Sequence, residues 1–203
     1  MNPQLVWFAA RGAGVVSLLF TTAVVYLGIL SILRWRTAAW PPFATAGFHE
    51  NLALFTVSFL GIHIASAVLD PYLSLGFVAG LVPFASPYRT LWMAFGTVAF
   101  YLVGALVLTS LLRNRIGVQT WRLIHWAAYA AWPFAMLHAL GTGTDATSPW
   151  MLAIMAACAI AVGGATFVRF TNGRPVAAPM RRGPLPGPPA PGTLKPPDPR
   201  RPT

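Results

Sequence analysis

Five apolar runs, each long enough to cross a bilayer, follow one another along this chain of 203 residues. The first covers about Gly12–Leu33 and stops at Arg34 and Arg36. The second covers about Phe43–Leu69 and stops at Asp70-Pro71. The third covers about Leu91–Leu112 and stops at Arg113 and Arg115. The fourth covers about Val118–Leu140 and ends at the turn Gly141-Thr-Gly-Thr, and the fifth covers about Pro149–Val168 and stops at Arg169. A spanning helix needs ~20 predominantly apolar residues, and each run supplies that many. Inside hydrocarbon every backbone polar group has to be satisfied within its own segment, so runs of this kind are helical. The pattern predicts an all-α membrane protein: a bundle of five, or at most six, transmembrane helices over residues 1–170. A Pro- and Arg-rich tail over 171–203 follows.

Composition strengthens this reading. Hydrophobic residues make up 56% of the chain and charged residues 9%, where a soluble domain carries about a quarter. The first run is too long for a signal-peptide core, and arginines follow it rather than a small-residue cleavage site, so it is expected to be a retained helix. The tail cannot bury a core and is expected to be a disordered, cytoplasmic segment.

The formal net charge is +10. Its distribution speaks for topology rather than for nucleic acid, since no soluble basic fold is left to dock on a duplex. Arg34 and Arg36 follow the first run; Arg113, Arg115 and Arg122 flank the junction of the third and fourth; seven more basic residues follow the fifth. These segments must share one side, and only Arg11 and Arg89 of the 14 basic residues lie on the other. The positive-inside rule then predicts a multi-pass plasma-membrane protein with its N-terminus outside and its C-terminus in the cytoplasm. The single cysteine, Cys158, sits mid-run, permits no internal disulfide, and reads as a small buried hydrophobe.

The candidate chemistry lies in the histidines. There are four, His49 and His63 in the second run and His125 and His138 in the fourth. The spacings of 14 and 13 residues separate each pair by roughly 20 Å along its helix. The orientation makes the second and fourth helices parallel, which pairs His49 with His125 near the cytoplasmic face and His63 with His138 near the outer face. Two imidazoles facing each other at two depths can hold two flat cofactors stacked across the membrane. A lone membrane histidine is often only a hydrogen-bonding bridge, but four of four at matched depths favour haem ligation. A compact zinc or copper site would need convergence on one ion. Two imidazoles on one iron leave no open position, so such iron passes electrons rather than binding substrate.

Helical phase adds a constraint. At ~100° per residue, 14 residues return to within about 40° of the starting face, whereas 13 leave a mismatch of roughly 140°. The fourth helix must be distorted, and Pro133 between its histidines is the expected cause. Gly47, Ala53, Gly61, Ala65 and Ala128 offer small residues near the ligands. Phe55, Phe59, Trp132 and Phe134 lie between the levels, most simply as packing. Arg122 and Arg36 on the cytoplasmic side and Arg89 on the outer side are candidate partners for haem propionates. The loop Asp70–Arg89, with Pro71, Tyr72, Pro83, Pro87 and Tyr88, is expected to be an ordered interfacial segment.

The fourth run reads Trp121-Arg-Leu-Ile-His125-Trp-Ala-Ala-Tyr129, followed by His138. This Trp-Arg-x-x-His-x-x-x-Tyr pattern, both histidine spacings, and Arg11-Gly-Ala-Gly14 in the first run resemble the ferric-reductase-like transmembrane domain family. Its members include the haem-carrying parts of NADPH oxidases and ferric reductases, and the membrane haem subunit of a methionine-sulfoxide reductase system. The resemblance covers about Arg11–Phe170. It implies two b-type haems, each held by two histidines, on His49, His63, His125 and His138. Family oxidases continue into flavin and nicotinamide domains, but no G-x-G-x-x-G unit occurs here. The expected protein is therefore an oxidoreductase component lacking its own flavin or nicotinamide domain. A separate donor, a flavoprotein or quinol, would reduce it, and an outer acceptor, such as a partner protein, would oxidise it. The alternatives are a terminal reductase of ferric ion or oxygen, and a haem-binding sensor or assembly protein without electron flux.

Overall fold

The computed structural model describes residues 3–33, 42–70 and 76–172. Arg34, Arg36, Pro71, Tyr72 and the tail beyond 172 lie outside them, and with them the expectations for Arg36 as a propionate partner and for a disordered tail. Eight helices and no strands occur among the described residues. They are α1 (Pro3–Leu33), α2 (Pro42–Leu69), α3 (Gly76–Leu81), α4 (Thr90–Leu111), α5 (Arg113–Ile116), α6 (Val118–His125), α7 (Ala128–Thr142) and α8 (Pro149–Asn172).

Among these residues four helices, α1, α2, α4 and α8, are long and apolar enough to cross a membrane. The first, second, third and fifth apolar runs thus form single helices close to their expected bounds, although α1 begins nine residues earlier, at Pro3 rather than Gly12. The fourth run does not. It is divided into α6 and α7 by a break at Trp126–Ala127, and neither half reaches spanning length.

The break lies upstream of Pro133, which sits inside α7 without ending it. The distortion assigned to Pro133 therefore belongs elsewhere. Around the break the ladder tightens to i→i−3 bonds: Trp126 N–H to Leu123 O (3.3 Å), Ala127 to Ile124 O (2.9 Å), Tyr129 to Trp126 O (3.1 Å) and Ala130 to Ala127 O (3.0 Å). A turn of this kind advances ~120° per residue instead of ~100°, so four such steps recover about 80° of the missing rotation. That brings His138 back towards the face of His125. A local 3₁₀-like winding, rather than a proline kink, re-phases the fourth run.

The molecule is packed with small residues and coated with large ones. Its buried set includes Ala10, Ala13, Ser17, Thr22, Thr56, Ala94, Thr97, Ala99 and Ala131, whereas Phe43, Leu111, Ile160 and Phe167 are exposed. Lipid is as apolar as leucine, so helices in a membrane associate by close backbone approach through small residues, not by hiding large ones. The closely packed pairs are α1 with α2, α4 with α7, and α1 with α8. A modest apolar cluster of Leu18, Met151 and Met155, with Val15, Ala135, Met136 and Ala139 against it, joins α1, α7 and α8. Cys158 is free and buried on α8, in keeping with its reading as a small hydrophobe.

Side-chain bonds connect the remaining elements. Trp132 donates its indole N–H to the Thr22 hydroxyl (3.0 Å), which itself donates to Leu18 O (2.8 Å). Inter-helical bonds of this type average ~0.6 kcal/mol in membranes, with a ceiling near ~1.7 kcal/mol. Thr22→Val is therefore expected to lower unfolding stability within that range, measured by SDS or thermal denaturation in detergent. A loss several times larger would mean that the bond holds more than one helix pair.

The segment before α4 is built rather than loose, over its described part. Ser86 donates to Tyr88 O (2.8 Å), and Tyr88 donates its phenol to Thr142 O (3.2 Å). At the other end of α4, Gly117 adopts φ 82°, a left-handed conformation that a glycine takes without steric cost and that ends α5 before α6 begins.

Candidate functional site

The histidines meet in the expected pairs. The rings of His49 and His125 are 6.3 Å apart between centres, with planes at 58°. Those of His63 and His138 are 6.1 Å apart, with planes at 75°. This pairing makes α2 parallel to α6–α7 and sets two levels along the bundle. The two carrier helices do not touch closely through their backbones: α2 packs on α1 and α3, not on α6 or α7. Space is thus kept between them at the imidazoles. A metal midway between two imidazoles, each bonded at ~2.0–2.1 Å through a nitrogen that lies ~1.1 Å from its own ring centre, sets the ring centres ~6.3 Å apart. Both pairs have that spacing.

Three of the rings are anchored through Nδ1. His49 bonds Val24 O (2.9 Å), His63 bonds Ala10 O (2.7 Å) and His138 bonds Trp92 O (3.0 Å). A carbonyl only accepts, so in each of these rings Nδ1 carries the proton and Nε2 keeps its lone pair. That is the tautomer a metal ligand requires, with the other nitrogen bonded to a second-layer acceptor. His125 differs: its Nδ1 is buried without a hydrogen-bond partner. Its ring lies 4.7 Å from that of Trp121, tilted by 34°, and the Trp121 indole donates to the Ser110 hydroxyl (3.2 Å). Among the described residues no group of three or more His, Cys, Asp or Glu side chains converges on one point. What the arrangement offers is two separate two-imidazole sites.

Two of the small residues near the histidines, Gly47 and Gly61, border open space. An added Cβ at Gly47 or Gly61 would meet nothing within 4 Å. The residues that do press on the imidazoles are Gly14, Gly28 and Gly96, on the facing helices. Gly14 belongs to the Arg11–Gly14 motif, and no local pattern marks Gly28 or Gly96 as facing a histidine. One signal in the sequence could have found two of them: Gly14 and Gly28 are spaced by the same 14 residues as His49 and His63.

The aromatic residues between the levels behave as packing. Phe55 and Phe59 flank Phe20 at 5.9 and 5.5 Å, and Phe134 lies 5.6 Å from Phe95. Of the candidate propionate partners, Arg122 is exposed on α6, one turn before His125. Arg89 bonds the Gly141 carbonyl at the C-terminal end of α7 and lies over the Tyr88 ring at 5.7 Å. A cation at that end of a helix is favoured by the helix dipole.

Two further cations are engaged near the site. Arg11 pairs with Asp145 at 3.0 Å and stacks on Trp7 at 4.2 Å, which ties the start of α1 to the turn between α7 and α8. Arg169 bonds the Tyr129 hydroxyl and lies over the Trp126 and Tyr129 rings, at 4.5 and 4.9 Å. It clamps the α6–α7 break against α8. Neither role is legible in the sequence, where Arg11 is a topology charge and the first residue of the Arg11–Gly14 motif, and Arg169 is a topology charge at the end of the fifth run.

Comparison with protein-family models, curated proteins and solved structures returned no match.

Proposed function

We propose that the chain is a di-haem b-type cytochrome of the ferric-reductase-like kind, with five spans counting α6–α7 as one. It would move electrons from a cytoplasmic or quinol donor to an acceptor outside the cell, as the haem subunit of a reductase system. The observation that supports this best is the pair of ring-centre separations, 6.3 and 6.1 Å, at two levels on two parallel helices. A bridging role for membrane histidines accounts for Nδ1 bonds to a neighbouring helix, but not for two imidazole pairs whose ring centres stand at the separation a shared metal would set. Here three Nδ1 atoms are already spent on backbone carbonyls, and three Nε2 lone pairs are left over.

When bound, bis-imidazole haems supply one-electron transfer without an open coordination position. His49 and His125 would hold the cytoplasmic level, and His63 and His138 the outer one. The backbone carbonyls of Val24, Ala10 and Trp92 keep three of the four in the ligating tautomer. Arg122, exposed near the cytoplasmic level, is placed to attract anionic groups there. The N-terminus-out orientation in the plasma membrane follows from the arginine distribution.

The deciding experiment is a reduced-minus-oxidised spectrum of the purified chain with a pyridine haemochrome assay. Two low-spin b-type haems per chain are expected. A stoichiometry near zero would remove the haem reading, and a value near one would remove the two-level arrangement.

A further inference from the structure

The three anchored imidazoles follow one rule. Their acceptors, Ala10, Val24 and Trp92, each precede a glycine by four residues: Gly14, Gly28 and Gly96. In an α-helix the carbonyl of residue i−4 already accepts from the N–H of residue i, and the side chain of residue i leans back over the preceding turn. Without a side chain at i, the second lone pair of that carbonyl is open to another donor. At Gly14 and Gly96 the imidazole intrudes on the vacated place, and at Gly28 it lies in contact with it. A Cβ added at Gly14 would lie 3.0 Å from both Nδ1 and Cε1 of His63, and one at Gly28 would lie 3.6 and 3.4 Å from the same atoms of His49. One at Gly96 would overlap the ring of His138. Gly12 and Gly104, on the same two helices, open onto nothing within 4 Å.

We propose that Gly14, Gly28 and Gly96 are positioning residues for the haem ligands, each presenting its i−4 carbonyl to fix one imidazole in orientation and tautomer. His125, with no such partner, is then the one ligand whose orientation the backbone does not fix. The inference rests on the haem reading. It makes the two levels unequal: the outer site has both ligands preset, by α1 and α4, while the cytoplasmic site has only His49 preset. It also ranks the glycines. The close approach is tightest at Gly96, intermediate at Gly14, and an ordinary contact at Gly28.

The test uses the full-length chain in detergent, with Gly96→Ala, Gly14→Ala, Gly28→Ala and, as a same-helix control, Gly12→Ala. Haem per chain, affinity for added haemin after mild extraction, and the midpoint potential of each redox component are read together. Loss of a second-layer ligand contact costs ~10–100-fold in metal affinity. Gly14→Ala is expected to weaken the outer haem by that factor and to shift the potential of one component only. Gly96→Ala is expected to abolish that same component. Gly28→Ala should affect the other component slightly, and Gly12→Ala neither. Retention of the second component serves as the internal measure of folding, and if Gly96→Ala loses both, Gly14→Ala decides. The proposal is overturned if the wild-type chain holds two haems while Gly14→Ala keeps both affinities and both potentials. A wild-type chain without haem would instead defeat the reading beneath it. In that event ¹⁵N shifts of histidine-labelled protein read the positioning directly: three imidazoles protonated at Nδ1 support it, and mixed tautomers at all four overturn it.

Discussion

Replacing His63 or His138 with alanine is expected to eliminate one redox component, and replacing His49 or His125 to eliminate the other. The warrant is the pairing: His63 lies 6.1 Å from His138 and His49 lies 6.3 Å from His125, whereas a crossed pair would have to bridge ~20 Å of helix. Each alanine leaves a single imidazole facing a gap, and about half the haem absorbance should disappear in every single mutant. Loss of the outer component should also stop delivery to an outside acceptor while the cytoplasmic component stays reducible. Methionine offers a gentler probe. A Met/His pair raises the potential relative to two histidines, so His63→Met should shift one component upward and leave the second in place. Potentiometric titration of the set resolves this. If His49→Ala and His138→Ala removed the same component, the pairing would be wrong.

Ala131→Leu is expected to destabilise the protein by overpacking the contact between α4 and α7. Trp92 O and His138 bond each other, which sets the antiparallel register of α4 and α7. Seven residues further along α4 and seven back along α7 stand Ala99 and Ala131, at the same level, with exposures of only 6% and 2%. A leucine there adds three carbons where the backbones approach, and overpacking of this kind costs ~1–3 kcal/mol. Pushing α4 from α7 also strains the Trp92–His138 bond, so the outer haem should loosen first. The combination of a lowered melting temperature and a selective change in one component is the expected result. Equal loss of both components would instead point to general unfolding.

The span positions could be read from the sequence because hydrocarbon leaves a long uninterrupted apolar record, as in Phe43–Leu69. The histidine pairs could be read because two spacings that nearly match need no knowledge of packing. The break in the fourth run was less accessible. It falls at Trp126–Ala127, with no glycine or proline to mark it, while Pro133, the only residue there that disfavours helix by type, sits a turn and a half further on within α7. Phase arithmetic required a distortion but could not locate it. The glycines that face the histidines were hidden for another reason. What a glycine exposes depends on the helix packed against it, so Gly47 and Gly61, sequence neighbours of His49 and His63, face open space, and Gly96, 42 residues before His138, meets its ring. The Arg11–Asp145 pair joins distant segments and left no local trace.

The equal interval on α1 and α2 makes this helix pair a ruler with two marks on each edge. The edges run in opposite directions, Gly14 against His63 and Gly28 against His49. Either mark can be aligned by sliding one helix, but both align only if the graduations agree. Adding one residue to α1 between its marks would advance one glycine by ~1.5 Å and turn it by ~100°, taking one level out of alignment and sparing the other. Length itself, counted in residues between two points, is therefore encoded twice in this protein, and a change in either copy alone would be felt at one depth of the membrane only.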